Sequence, residues 1–359
     1  MRRNNFFGLM MAFVLALAGC GAPGPEVQVP DVPRVFPPPP APARYVFERS
    51  VYEANDLAVK ASDTGFLAML VGTRRGGGQG LSRPVAVAAH QGRVAVVNSL
   101  DASISVFDFA QRQFSRFDLA DSGAQRAPMG ISVDRNGFWY VADGLGNYVL
   151  VLDTQGRLQR KIGGPRWLGK LVNVAVDSDA QRVYAIDQTE RQHRVRVFNA
   201  VTGSHLMDIG QSGDAPGEFN LPLDAAVGQG GRLYVVDSGN YRVQIFDQQG
   251  QYIKSFGTAG KRAGQFSRPK EIATDAQGLV YVVDATFGNV QVFDTDGVYQ
   301  YAIGTRGDQG AGATYMLPSG VAIDSDGRLY LLDQWYVKLD VYRPLRHRAE
   351  AVPVPEPKK

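Results

Sequence analysis

From Phe66 to Pro344 the chain is a succession of short apolar runs rich in valine, isoleucine, leucine and tyrosine, each soon stopped by glycine, aspartate or asparagine. Runs of that length and composition predict strands, and the turn residues between them predict hairpins. The runs recur with a period between about 40 and 50 residues, a spacing that marks repeated supersecondary units. One unit reads Leu221-Pro222, then Gly231-Arg232-Leu233-Tyr234-Val235-Val236-Asp237, then Asn240-Tyr241-Arg242-Val243-Gln244-Ile245-Phe246-Asp247, then Gly250 and Phe256-Gly257. The next repeats it with Arg268-Pro269, Gly278 to Asp284, Asn289 to Asp294, Gly297 and Ile303-Gly304. Each unit is a small antiparallel sheet with two apolar faces, which cannot bury both unless it is stacked between neighbours.

Four more units keep the frame. They carry Pro84 with Val96-Val97-Asn98 and Val106-Phe107-Asp108, Pro128 with Tyr140 to Asp143 and Val151-Leu152-Asp153, Leu171 with Tyr184 to Asp187 and Val197-Phe198-Asn199, and Pro318 with Tyr330 to Asp333 and Val341-Tyr342. The third unit is the most divergent. These residues resemble the NHL repeat. The resemblance implies an all-β fold, a six-bladed β-propeller of four-stranded antiparallel blades occupying 45–344. It also implies that an N-terminal outer strand completes the C-terminal blade, which stops at Pro344 without its own. Phe66–Gly72 is expected to be that closing strand, because the loop after it, from Gly72-Thr73 to Arg83-Pro84, mirrors Gly257-Thr258 to Arg268-Pro269. The recurring Tyr-Val-x-Asp is read as structural, with tyrosine between blades and aspartate on backbone amides of the following turn.

Outside the repeats, Arg2 and Arg3 precede an apolar stretch from Phe6 to Ala18 that is too short to span a bilayer, the pattern of an export signal over 1–19. Leu17-Ala18-Gly19-Cys20 resembles the lipobox of bacterial lipoproteins. That resemblance implies cleavage before Cys20, acylation of its thiol and a membrane held through the lipid anchor, with no spanning segment. With no aspartate after Cys20, it further implies the periplasmic side of the outer membrane where one exists. A proline-rich spacer over 20–44 should follow, and a disordered tail over 345–359. Cys20 is the sole cysteine, so no disulfide staples the fold.

The formal net charge of +3, of which Arg2 and Arg3 supply two, is too small for phosphate neutralisation and excludes a nucleic-acid binder. No nucleophile elbow, phosphate loop or zinc spacing is present, so no catalytic residue is assigned. The four histidines, His90, His193, His205 and His347, are not expected to converge. In the NHL pattern one face of the ring gathers Arg74, Arg75, Arg166, Trp167, Lys261, Arg262, Arg306, Trp335 and Tyr336, with Tyr148, Tyr241 and Phe287. The opposite face gathers Asp134, Asp177, Asp179, Asp275, Asp324 and Asp326. Arginine beside aromatic residues suits recognition of a protein or an envelope glycan. The function expected is therefore a binding scaffold on a basic and aromatic face; oligomeric state is not legible. The alternative is a metal-dependent hydrolase or lyase in the central channel, similar to propeller lactonases. Its candidate ligands are Asn173, Asp224 and Glu271, which take the position two after the blade-opening proline where other blades carry Ala86, Gly130 and Gly320. Oxygen ligands of that kind suit calcium or magnesium, with Lys270 and backbone amides as the competing partners.

Overall fold

The computed structural model describes residues 33–58, 79–122 and 127–345. Within them lie six antiparallel sheets arranged as a ring. Blade one is Pro84–His90, Arg93–Asn98, Ser103–Asp108 and Gln113–Asp118, and the chain then runs outward through each following blade in the same order. Each innermost strand packs against the innermost strands of both neighbours, so the ring closes on itself. All six begin with a bulge. In blade four, for example, the ladder skips from Pro222 opposite Asp237 to Asp224 opposite Val236. The bulge re-aims the side chain two after the opening residue.

The core is divided into six clusters, one between each pair of adjacent blades. The two-residue period of a strand explains this: in blade four Leu233 and Val235 face blade three, while Tyr234 and Val236 face blade five. The repeated tyrosines Tyr140, Tyr184, Tyr234, Tyr281 and Tyr330 are all buried in these seams. The repeated aspartate is structural and does more than expected. Asp284 accepts from Thr286 N (2.9 Å) and Phe287 N (3.1 Å) in the following turn, and also from Ser267 N (2.7 Å) and Arg268 N (3.0 Å) in the loop that leads into its own blade. Asp333 does the same with Met316 N, Leu317 N and Tyr336 N.

The ring is closed by an N-terminal strand, but not by Phe66–Gly72. The outer position of blade six is filled by Tyr45–Val51, paired antiparallel with Lys338–Pro344 from Tyr45 opposite Pro344 to Val51 opposite Leu339. Residues 66–72 lie outside the described residues. The seam is fixed by polar contacts as well as by the ladder. Ser50 Oγ donates to Asp340 Oδ1 (2.6 Å), and the Tyr45 and Tyr281 hydroxyls meet at 3.0 Å. Asp340 Oδ2 also accepts from Lys338 Nζ (2.8 Å), Tyr315 OH (2.8 Å) and Ala313 N (3.0 Å), all of them buried. Where it is described, from residue 33, the stretch expected to be a proline-rich spacer also contributes to the closure. Val35–Phe36 adds a short strand outside Tyr45–Val51, and Phe36 packs edge-on against Tyr342 at 5.7 Å.

Candidate binding face and channel site

Two sets of loops, those between the second and third strands and those leading into each blade, meet at one end of the ring, because within a blade they are joined by backbone hydrogen bonds. Leu100 N donates to Ser82 O, Gly144 N to Ala127 O, Gln188 N to Lys170 O, Gly239 N to Asn220 O, Ala285 N to Arg268 O and Gln334 N to Leu317 O. The loops that carry the expected residues reach this end; Arg74 and Arg75 lie outside the described residues. Lys261 and Arg262 are exposed at the tip of the loop between blades four and five, and neither has an ion-pair partner among the described residues. Arg306 is exposed but donates to Thr286 O (3.1 Å). Trp335 is 66 % exposed. Tyr336 is more tied down, with its hydroxyl on Gly307 O (2.8 Å).

Trp167 is not a free anchor. It is half-buried at the outer edge of blade three, stacked on His205 (4.5 Å, 16°) and flanked by the Arg166 and Arg196 guanidinium groups at 5.5 and 5.8 Å. An apolar feature that the repeat pattern did not anticipate takes its place. Leu100 is 72 % exposed and Leu145 is 60 % exposed. Both stand two residues after the last residue of the second strand, as Trp335 does, so blades six, one and two carry three exposed apolar side chains at one repeat position. Met129, also exposed, lies beneath the blade-two loop. The legible signal was an apolar residue in a turn position where a polar one is normal.

At the other end of the ring the carboxylates are spent on turns. Asp134 accepts from Asn136 N and Phe138 N (both 2.9 Å), Asp177 from Asp179 N and Ala180 N (both 2.9 Å), and Asp275 from Gln277 N (2.9 Å) and Leu279 N (2.8 Å). Asp324 bridges the ring closure, accepting from Gln91 N (2.7 Å) and Gly92 N (2.6 Å) of blade one. Asp179 pairs with Arg135, and Asp326 with Arg328.

The channel between the innermost strands holds a cavity of about 340 Å3 whose lining includes Asp224 and Glu271. The bulges bring Asn173, Asp224 and Glu271 together. Asn173 Nδ2 donates to Glu271 Oε1 in a long bond (3.4 Å) that reaches from blade three to blade five. Asn173 Oδ1 accepts from Val174 N (2.8 Å), and Asp224 Oδ2 accepts from Ile272 N (2.9 Å). The small residues of the other half make room: a Cβ at Gly130 would stand 1.8 Å from Asn173 Oδ1. Burial pushes the Asp224 carboxyl up to about 7, against the pull of two backbone N–H groups. Burial, and then the charge of Asp224, push Glu271 well above the usual carboxylate range. Burial lowers Lys270, and Glu271 only partly offsets it. Burying two acids side by side is costly unless one is protonated or a cation joins them. Three oxygen-bearing side chains on three blades could hold a hard divalent ion, with the carboxylate oxygen of Asp224 already bound by Ile272 N in competition. The histidines do not converge: His90 lies in the channel lining, His193 near blade four and His205 on Trp167, and no group of three histidine, cysteine or acidic residues suited to a metal occurs among the described residues.

Comparison with known proteins agrees with the ring. The NHL repeat family matches residues 219–246, and a family described as a 6-bladed beta-propeller matches residues 274–344. E3 ubiquitin-protein ligase TRIM32 of Homo sapiens is 44 % identical over 45 residues, 12 % of this chain and 7 % of that protein; its Mus musculus counterpart is 42 % identical over 45 residues. This chain thus matches only a small part of the length of those relatives. Among solved structures, a structural genomics protein of unknown function from Bacteroides thetaiotaomicron superposes with a TM-score of 0.57 at 16 % identity, over 74 % of this chain and 70 % of that one. A catalytically inactive virginiamycin B lyase from Staphylococcus aureus with quinupristin gives 0.52 at 13 % identity, over 76 % and 82 %. Kuenenia stuttgartiensis hydrazine synthase gives 0.52 at 17 % identity, over 75 % and 84 %. At these identities the likeness is one of fold. The chain is a six-bladed β-propeller, and one stretch of it, residues 219–246, matches the NHL repeat.

Proposed function

We propose that this propeller is a lipid-anchored scaffold of the cell envelope that holds a protein or glycan partner on its loop face. The observation that carries the reading is the exposure of Trp335, Leu100 and Leu145 at one repeat position in consecutive blades, with Lys261 and Arg262 free on the same face. Exposed aromatic and aliphatic side chains on a face that also carries cations suit an anchored interface, and the opposite end offers carboxylates already committed to turns. Cys20 would supply the anchor, leaving the ring free to work at a membrane surface. The test is capture from envelope extracts by the lipid-free body, compared with a Trp335→Ala, Leu100→Ser, Leu145→Ser variant and with a Lys261→Gln, Arg262→Gln variant. Loss of capture in the first, and weaker, less salt-sensitive capture in the second, is expected; unchanged capture in both places the partner elsewhere. Cys20→Ala should release the protein from the membrane fraction and abolish lipid labelling.

A second reading, metal-assisted hydrolysis or lyase chemistry in the channel, is favoured only by the convergence of Asn173, Asp224 and Glu271. These residues would ligate calcium or magnesium, and Asp224 or Glu271 would have to serve as base. Calorimetric titration of either ion into chelator-treated protein, with Asp224→Ala as the control, decides it: no heat and no rise in melting temperature removes the site and this reading with it.

A further inference from the structure

Blade three departs from the repeat in a way that builds a cleft. In the other five blades the ladder between the second and third strands ends at the repeated aspartate or asparagine, as at Asp237 opposite Arg242 and Asp284 opposite Asn289. In blade three it continues past Asp187 opposite Arg194 to Gln188 opposite His193 and Thr189 opposite Gln192, and turns at Glu190 and Arg191. An even insertion preserves the inward and outward alternation, so the hairpin simply grows taller on the loop face. It is then fastened to the next blade: His193 N donates to Ser212 Oγ (2.7 Å), Leu221 N donates to His193 Nδ1 (3.2 Å), and Gln188 Nε2 donates to Pro222 O (2.8 Å). Between the hairpin and the loop from blade three to blade four lies an open cleft of about 680 Å3.

Only some of the charges around this cleft are consumed by the fold. Arg194, Arg196 and Arg242 nearby are all paired, with Asp187, Asp208 and Asp237. Lys170 and Arg191, which line the cleft and are exposed, have no ion-pair partner among the described residues. With Nδ1 of His193 accepting from Leu221 N, the neutral ring carries its proton on Nε2 and can donate from it. Ser212 accepts from His193 N and keeps its own hydroxyl proton to give. Glu190 and Asp214 add carboxylate acceptors to the same lining.

We infer that this cleft binds a saccharide bearing a carboxylate. Lys170 and Arg191 match the anionic group, while the Glu190 and Asp214 carboxylates and the Ser212 and His193 donors match ring hydroxyls, each of which both gives and accepts a proton. A bare anion would meet the two acids, and a cation would meet the two basic groups. The volume is that of a small-molecule site. The inference uses the binding face of the proposed scaffold but none of the residues assigned to the partner there.

The test is calorimetry on the full chain with tri-galacturonate, its fully methyl-esterified form and citrate. Tri-galacturonate should bind, the ester at least about tenfold more weakly, and citrate no better than the ester. Lys170→Gln with Arg191→Gln should weaken tri-galacturonate at least about tenfold, whereas Arg112→Gln, at an exposed turn of blade one, should not, with melting temperatures showing that all variants fold. The inference is overturned by no binding of tri-galacturonate, by equal binding of the ester, by citrate binding as tightly as the sugar, or by indifference to Lys170 and Arg191. Partner capture that survives the double variant leaves the scaffold reading standing whatever the sugar result.

Discussion

Replacing Asp224 by asparagine should stabilise the protein at alkaline pH and do nothing at acid pH. An aspartate in the unfolded chain titrates near 3.8, whereas in the ring burial holds it at about 7. Between those values the folded protein keeps a proton that the unfolded chain has released, so stability falls as pH rises through the window. A titration displaced by one pH unit is worth about 1.4 kcal/mol, so the full loss is about 4 kcal/mol. Asparagine is the same shape, its Oδ1 can still accept from Ile272 N, and it relieves Glu271 of a neighbouring charge. Asp224→Asn should therefore exceed the wild type by about 2–4 kcal/mol at pH 8, or roughly 4–8 °C in melting temperature, and match it at pH 4. Circular dichroism melts from pH 4 to pH 8 in the presence of a chelator are the assay. Parallel pH profiles for the two proteins, or a variant less stable at pH 8, would refute the reasoning. Adding calcium then tests the cation reading, which requires the wild type alone to regain stability at pH 8.

A chain beginning at Tyr52 lacks both Val35–Phe36 and Tyr45–Val51, leaves the edge of Lys338–Pro344 unpaired, and should aggregate or melt far below one beginning at Pro33, as light scattering and calorimetry would show. Asp340→Asn removes the counter-charge of fully buried Lys338 and should cost about 3–5 kcal/mol in denaturant unfolding, against less than about 1.5 for Ser50→Ala. Gly130→Ala drives a methyl group into Asn173 Oδ1 and should cost about 1–3 kcal/mol, a loss that Gly130→Ala combined with Asn173→Gly should largely recover.

The blade, its repeat and the number of blades were legible because each unit carries the same apolar period and turn residues, and two-sided apolar sheets have few ways to be buried. The tyrosine seams and the aspartate clamps followed from the same repetition. The position of Asn173, Asp224 and Glu271 was legible too, since a repeat frame converts sequence offset into place around an axis. The closing strand was not. Outer strands are half exposed and weakly patterned, as Tyr252–Phe256 and Tyr299–Ile303 also are, so the choice of Phe66–Gly72 rested on the likeness of the loop after it to the loop from Gly257 to Pro269. What selected Tyr45–Val51 was its fit to partners nearly the whole chain away: the Asp340 carboxylate for Ser50, and the Tyr281 hydroxyl for Tyr45. The exposure of Leu100 and Leu145, the burial of Trp167 against His205, and the cleft walled by the long hairpin of blade three likewise depend on which side chains meet across loops distant in sequence. Local pattern determines which residues can form a blade; only the closed ring decides which loops become neighbours, because that is a property of packing around a common axis and of no single segment.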